Sequence, residues 1–130
     1  MYSFSDGIPF ICGGYDGGTY YDTCYGYMPM SDSWEEIGTM PSPKYWSAYA
    51  FLEGFGLVMA GGSVDGFPRR SVFVTKDGST FETLHALPYA SRDGCLTVVD
   101  QTTLMLSGGG GENPSGALSY HITTDTWTRY

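Results

Sequence analysis

The most reactive side chains in the sequence are three cysteines, Cys12, Cys24 and Cys95, and two histidines, His85 and His121. Thiols offer nucleophilic, metal-binding or disulfide chemistry, and imidazoles offer proton transfer or metal ligation. Their spacing fits no familiar catalytic arrangement. The chain has no Cys-x-x-Cys or His-x-x-x-His pair for a metal and no Gly-x-Ser-x-Gly around a nucleophile. It also has no P-loop or Gly-x-Gly-x-x-Gly to cradle a phosphate. Asn113-Pro114-Ser115 resembles a glycosylation sequon but contains the proline that forbids it. No catalytic residue, metal or cofactor is therefore expected. Arg and Tyr, the types that anchor protein interfaces, are the remaining candidates for function.

Composition narrows the frame that must position them. The chain has 130 residues, enough for one domain; 19 are glycine and 21 aromatic (7 Phe, 3 Trp, 11 Tyr). Such a mixture implies an all-β fold of short strands joined by tight turns. Six Lys and Arg against 14 Asp and Glu leave a net charge of −8. A surface that acidic repels phosphate backbones and anionic lipid, so no nucleic-acid partner is expected. No apolar run approaches the ~20 residues of a membrane span, so no membrane insertion is expected either. Residues 1–10 lack the basic and apolar regions of a signal peptide, and the start reads as a cut or processed end.

An internal repeat organises the chain. Short apolar stretches end in glycine pairs at Gly13-Gly14, Gly61-Gly62 and Gly108-Gly109, spaced 48 and then 47 residues apart. Downstream, Tyr27, Val74 and Tyr120 align in one column, and Trp34, Phe81 and Trp127 in another, each of these after a Ser or Thr. Met40-Pro41 and Leu87-Pro88 close the first two repeats. Repeat boundaries fall at about 1–45, 46–92 and 93–130. Period-two signals place four strands, a to d, in the second repeat at about 46–52, 57–60, 71–75 and 80–84, an antiparallel meander.

This period, with its Gly-Gly, Tyr and Trp landmarks, resembles the Kelch repeat, one blade of a β-propeller. The resemblance implies that each glycine pair ends strand b at a close passage and that Tyr and Trp pack blade on blade. Aligning the glycine pairs sets Phe4 opposite Leu52 and Val99, so the first blade begins truncated. About three blades do not close a ring. The chain is then either part of a longer propeller or one half of a homodimer with six blades.

In a meander, the b–c loops and d–a connections emerge at one end. Here the b–c loops are long, at 15–19, 63–70 and 110–116, and recognition concentrates on long loops carried by a rigid scaffold. This expected partner-binding face carries Tyr15 and Asp16 in the first loop, Asp65, Phe67, Arg69 and Arg70 in the second, and Glu112 and Asn113 in the third. Tyr45 and Arg92 in the d–a connections are its expected anchors. Pairing of Arg92 with an acidic neighbour inside the blade is the alternative role for that residue.

Cys12 ends one strand and Cys24 opens the next. Their columns hold Ala60 with Ser71 and Ser107 with Ala117, small residues each time, which favours a disulfide across the hairpin and an oxidising, extracellular setting. A pair of small buried thiols in a cytosolic protein is the alternative. Cys95 has no partner in this pattern. Copper radical oxidases also use Kelch-type propellers, and their adjacent Tyr-His pair resembles Tyr120-His121; that is the enzymatic alternative. Neighbours on a strand point to opposite faces, however, and Tyr120 already fills the repeat column. The reading preferred from sequence is a protein-interaction module for a protein or peptide partner.

Overall fold

Beta-branched and aromatic residues in short runs, broken by glycine and aspartate turns, form strands; the described residues contain no helix. In the computed structural model these are the backbone of Tyr2 and Ser3 together with residues 8–130. Phe4, aligned above with Leu52 and Val99, lies outside them. No helix among the described residues is long and apolar enough to cross a membrane.

Sheet 1 comprises β1 (Tyr2–Ser3), β2 (Pro9–Tyr15), β3 (Tyr20–Met28) and β4 (Ser33–Thr39), paired in that order. Sheet 2 uses β5 (Ala48–Leu52) and β6 (Gly56–Ala60). A small hairpin, β7 (Ser63–Val64) with β8 (Phe67–Pro68), intervenes before β9 (Val72–Thr75) and β10 (Phe81–Leu84) complete that sheet. Next come the short β11 (Ser91–Arg92), then β12 (Cys95–Val98) and β13 (Thr103–Ser107) of sheet 3. The chain passes through β14 (Gly110–Gly111), which pairs with β11, and finishes sheet 3 with β15 (Ala117–His121) and β16 (Thr126–Arg129). All three sheets are antiparallel meanders of four strands.

Sheet 2 lies between the other two. Leu57, Met59 and Phe73 pack towards sheet 1 with Phe10, Cys24 and Met40. On the opposite face Ala50, Val58, Ala60, Val72 and Val74 meet Leu96, Leu104, Leu106, Leu118 and Tyr120 of sheet 3. This explains why all five residues of β6 are buried, with no polar face to alternate against.

The pairing register corrects three expectations. Trp34 opposes Tyr27, Trp127 opposes Tyr120, and Phe81 opposes Thr75, so Thr75 occupies the tyrosine column in sheet 2, not Val74. The third turn of sheet 2 is one residue shorter than its counterparts, and counting back from Phe81 therefore overshoots by one. For the same reason Val72, and not Ser71, occupies the column of Cys24 and Ala117. Finally, β5 starts at Ala48; Trp46 stands before it with φ of 57°, a left-handed conformation that a strand excludes.

The glycine pairs have a spatial cause. A Cβ on Gly13 would lie 2.6 Å from the Lys44 carbonyl, and one on Gly61 would collide with the Ser91 carbonyl. Gly62 in turn sits under Tyr45 and Ser47. Each connection between sheets is thus laid directly against the glycine pairs, whose first members have φ near +70°. Repeat-specific braces complete the joints. The Tyr27 and Tyr120 hydroxyls donate to Asp32 and Asp125, both at 2.7 Å. Asp125 also accepts the His85 N–H from sheet 2, and the Trp127 indole donates to the His85 carbonyl.

Candidate functional site

The loops and connections on the expected partner-binding face are stitched into one belt. Gly14 N–H donates to the Lys44 carbonyl, and Ser63 N–H donates to the Tyr45 carbonyl at 2.6 Å. Ser91 pairs with Arg69 on one side and Gly111 on the other, and Arg92 pairs with Gly110. Each connection leaving one sheet is therefore held between the loops of two sheets. Backbone bonding on this scale presents side chains from distant parts of the sequence on a stable support.

Across this belt runs a row of aromatic rings. Tyr20 stacks on Tyr15 with centroids 4.5 Å apart; Tyr15 meets Tyr45 at 5.3 Å, and Tyr45 stacks on Trp46 at 4.3 Å. The Arg92 guanidinium lies over the Trp46 ring, 5.5 Å from its centroid, and donates to the Gly66 carbonyl at 3.1 Å. Tyr15 and Trp46 remain exposed, as does Phe67 in the hairpin whose turn Arg92 grips. The row combines apolar area, phenol hydroxyls and a guanidinium, the composition of an interface anchor.

The other expected residues divide by what holds them. Asp16 accepts the N–H groups of Gly18 and Thr19 and the Tyr21 hydroxyl, the last at 2.6 Å. That hydroxyl first, then the two backbone donors, keeps the Asp16 carboxyl below its ordinary pKa, while the Tyr21 phenol is raised in return. Asp65 forms the β7–β8 turn with φ of 53°. Arg69 donates to the Val64 carbonyl. Arg70 staples the Leu87 and Pro88 carbonyls, which fixes a connection and leaves less of its guanidinium for a ligand. Glu112 accepts the Ala90 N–H at 2.7 Å, and the Asn113 carbonyl closes a turn with Gly116. Arg92 therefore donates to backbone and covers an indole, where sequence had offered an acidic partner as its alternative.

Two members of this region escaped sequence reasoning. Trp46 was assigned to a strand, although its place directly after Tyr45 marks a pair of adjacent aromatics in a connection. Lys44, which precedes Tyr45 in the same connection, is not among the residues expected from sequence. Pairing with Ser63 sets Tyr45 in the Arg92 column, and Lys44 accordingly shares the Ser91 column. The Lys44 side chain runs inward, fully buried, and donates to the Gly61 carbonyl at 2.5 Å and to the Ser71 carbonyl and hydroxyl at 2.9 and 3.0 Å. Its ammonium also lies 4.6 Å from the centre of the Phe73 ring. With burial as the cause, its pKa falls to about 7.

Cys12 and Cys24 are direct cross-strand partners, joined by a disulfide with Cα atoms 4.1 Å apart. Cys95 is a free, exposed thiol. Tyr120 is buried, and its phenol is raised above its ordinary pKa by burial and by Asp125, whereas His121 is exposed on the other side of the strand and contacts Thr123. Among the described residues no group of three His, Cys, Asp or Glu side chains is arranged to hold a metal ion. Neither the protein-family models nor the curated proteins include a match to this chain.

Proposed function

We propose that this chain is a segment of a Kelch-type β-propeller and works as a protein-interaction module, engaging a protein or peptide through the belt of loops and connections. The Kelch assignment rests on three repeats of glycine pair and aromatic columns, together with three antiparallel meanders of four strands. The binding role rests on one observation, the partly exposed row Tyr20–Tyr15–Tyr45–Trp46 capped by Arg92. Stacked rings lose little conformational entropy on binding because they are already ordered, so contact area translates efficiently into affinity. The Cys12–Cys24 bond fits an oxidising compartment and hence a secreted or cell-surface setting.

Selection from a displayed random-peptide library tests the reading. Peptides captured by the wild-type chain are expected to lose at least ~10-fold in affinity for a Tyr45→Ala/Arg92→Ala variant. The control is Lys76→Ala, in the exposed turn between β9 and β10, and thermal melts establish that the variants fold. Binding that ignores the Tyr45 and Arg92 substitutions would sink the assignment of this face.

A further inference from the structure

At the junction between sheets 2 and 3, two exposed arginines from distant parts of the chain donate to one carbonyl. Arg70 lies just before β9, and Arg129 is the last residue of β16. The Nη2 groups of both reach the Pro88 oxygen, that of Arg129 at 3.2 Å, and the Arg70 Nε donates to the Leu87 oxygen at 2.8 Å. The Arg129 guanidinium also lies over the Tyr89 ring, 5.8 Å from its centroid. Two nitrogens bonded to one oxygen lie within about 6 Å of each other, so two positive charges converge here. Among the described residues neither arginine forms an ion pair, although the chain carries 14 Asp and Glu against 6 Lys and Arg. Glu112, in the adjoining third loop, accepts the Ala90 N–H at 2.7 Å instead.

The repeat itself does not require this pair. The Arg70 carbonyl accepts the Leu87 N–H at 2.8 Å, and at the same place in sheet 1 the Asp22 carbonyl accepts the Met40 N–H at 2.7 Å. Asp22 therefore occupies the Arg70 column in sheet 1. The Arg129 column, two residues after the Trp or Phe of each last strand, holds Thr83 in sheet 2. The joint between sheets 1 and 2 is thus built with Asp22 and Thr83 where the joint between sheets 2 and 3 has two arginines. Both joints close the connection, and only one gathers charge. Arg129 shares a face of β16 with Trp127, and both side chains bond back to the segment leaving sheet 2, at the Pro88 and His85 carbonyls. The pair accordingly sits between two sheets of the structure and not on an end face.

We propose that Arg70 and Arg129 form a binding site for a doubly charged phosphate group, either inorganic phosphate or a phosphate ester on a partner's side chain. The Nη1 groups of both arginines and the Nε of Arg129 make no bond among the described residues. Planar guanidinium donors of this kind hold phosphate oxygens in pairs, and two converging charges match a dianion better than a single carboxylate. Contact with the Tyr89 ring orders the Arg129 side chain before a ligand arrives, which lowers the entropic cost of binding. The net charge of −8 opposes long phosphate polymers, whereas one phosphate group responds to the local charge of the two arginines. The site stands apart from the aromatic row and does not depend on peptide binding there.

NMR titration tests it, following the backbone amides of Leu87 and Tyr89 at constant ionic strength. The probes are inorganic phosphate and two blocked tripeptides that carry phosphoserine or glutamate between alanines. Saturable shifts are expected with a phosphate probe at about pH 7.5, and binding at least ~5-fold weaker at about pH 5, where the group is mainly singly charged. Arg129→Gln and Arg70→Gln should each weaken binding ~10-fold, and Lys76→Gln should leave it unchanged. Arg129 makes one hydrogen bond from an exposed position, so Arg129→Gln decides the matter should Arg70→Gln fail to fold. Tighter binding of the phosphoserine peptide than of inorganic phosphate would identify a phosphorylated partner as the carrier, and the reverse order would identify the free ion. No saturation by either phosphate probe up to about 10 mM, equal binding of the glutamate peptide, or indifference to Arg129→Gln would overturn the proposal. No arm involves Tyr45 or Arg92, so failure here is separable from failure of the loop-face reading.

Discussion

Lys44 sets the pH behaviour expected of this protein. Its ammonium finds three oxygen acceptors and an aromatic face among the described residues, and no carboxylate, so desolvation dominates its titration. Folding lowers the pKa from 10.5 to about 7. Between those values the unfolded chain binds the extra proton, so this group's contribution to stability rises as pH climbs from about 7 towards 10 and is flat below. The urea midpoint of the wild-type chain, relative to Lys44→Met, is expected to increase from about pH 6 to about pH 9.5. A constant difference between the two would show that the amine is not held in the interior. Lys44 lies in the connection between β4 and β5, and the direction of its long flexible side chain depends on a space that two sheets create together, which spacing along the chain does not reveal.

At the scale of elements, the strands were legible because alternation, glycine and turn residues act locally. The four expected strands of the second repeat lie within two residues of β5, β6, β9 and β10. Register was less accessible. A turn shortened by one residue moved Thr75 into the column assigned to Val74, and only the pairing with Phe81 reveals it. Thr75 compensates for the absent tyrosine by bonding inside its own turn, donating to the Thr80 carbonyl and accepting from Gly78 N–H. The motif Tyr-x4-Asp-x-Trp, present as Tyr27–Asp32–Trp34 and Tyr120–Asp125–Trp127, was the available signal for the brace at that turn. The β2–β3 hairpin has its own constraint in Cys12–Cys24, a link across 12 positions. Replacing both cysteines by alanine is expected to lower the unfolding free energy by up to about 3 kcal/mol, the loop-entropy scale for a closure of this length, as measured by denaturant titration. An unchanged midpoint would show that the bond adds nothing to the native hairpin.

For the whole molecule, order in the stack decides where stability resides. Sheet 2 is covered on both faces, and hydrogen exchange is expected to be slowest in Gly56–Ala60 and Val72–Thr75, with the end sheets opening earlier. Equal protection of all three sheets would contradict that gradient. The sequence by itself determined the all-β class, the repeat and the position of most strands, and it favoured the pairing of Cys12 with Cys24 that the structure shows. Each of these follows from residue types at short range or from a period that needs no coordinates. Tertiary structure decided which face each column presents, the inward course of Lys44, the row from Tyr20 to Trp46 and the contrast between covered and uncovered sheets. Those features arise where segments from different repeats meet, and a one-residue change in a turn is enough to alter the correspondence between spacing and space.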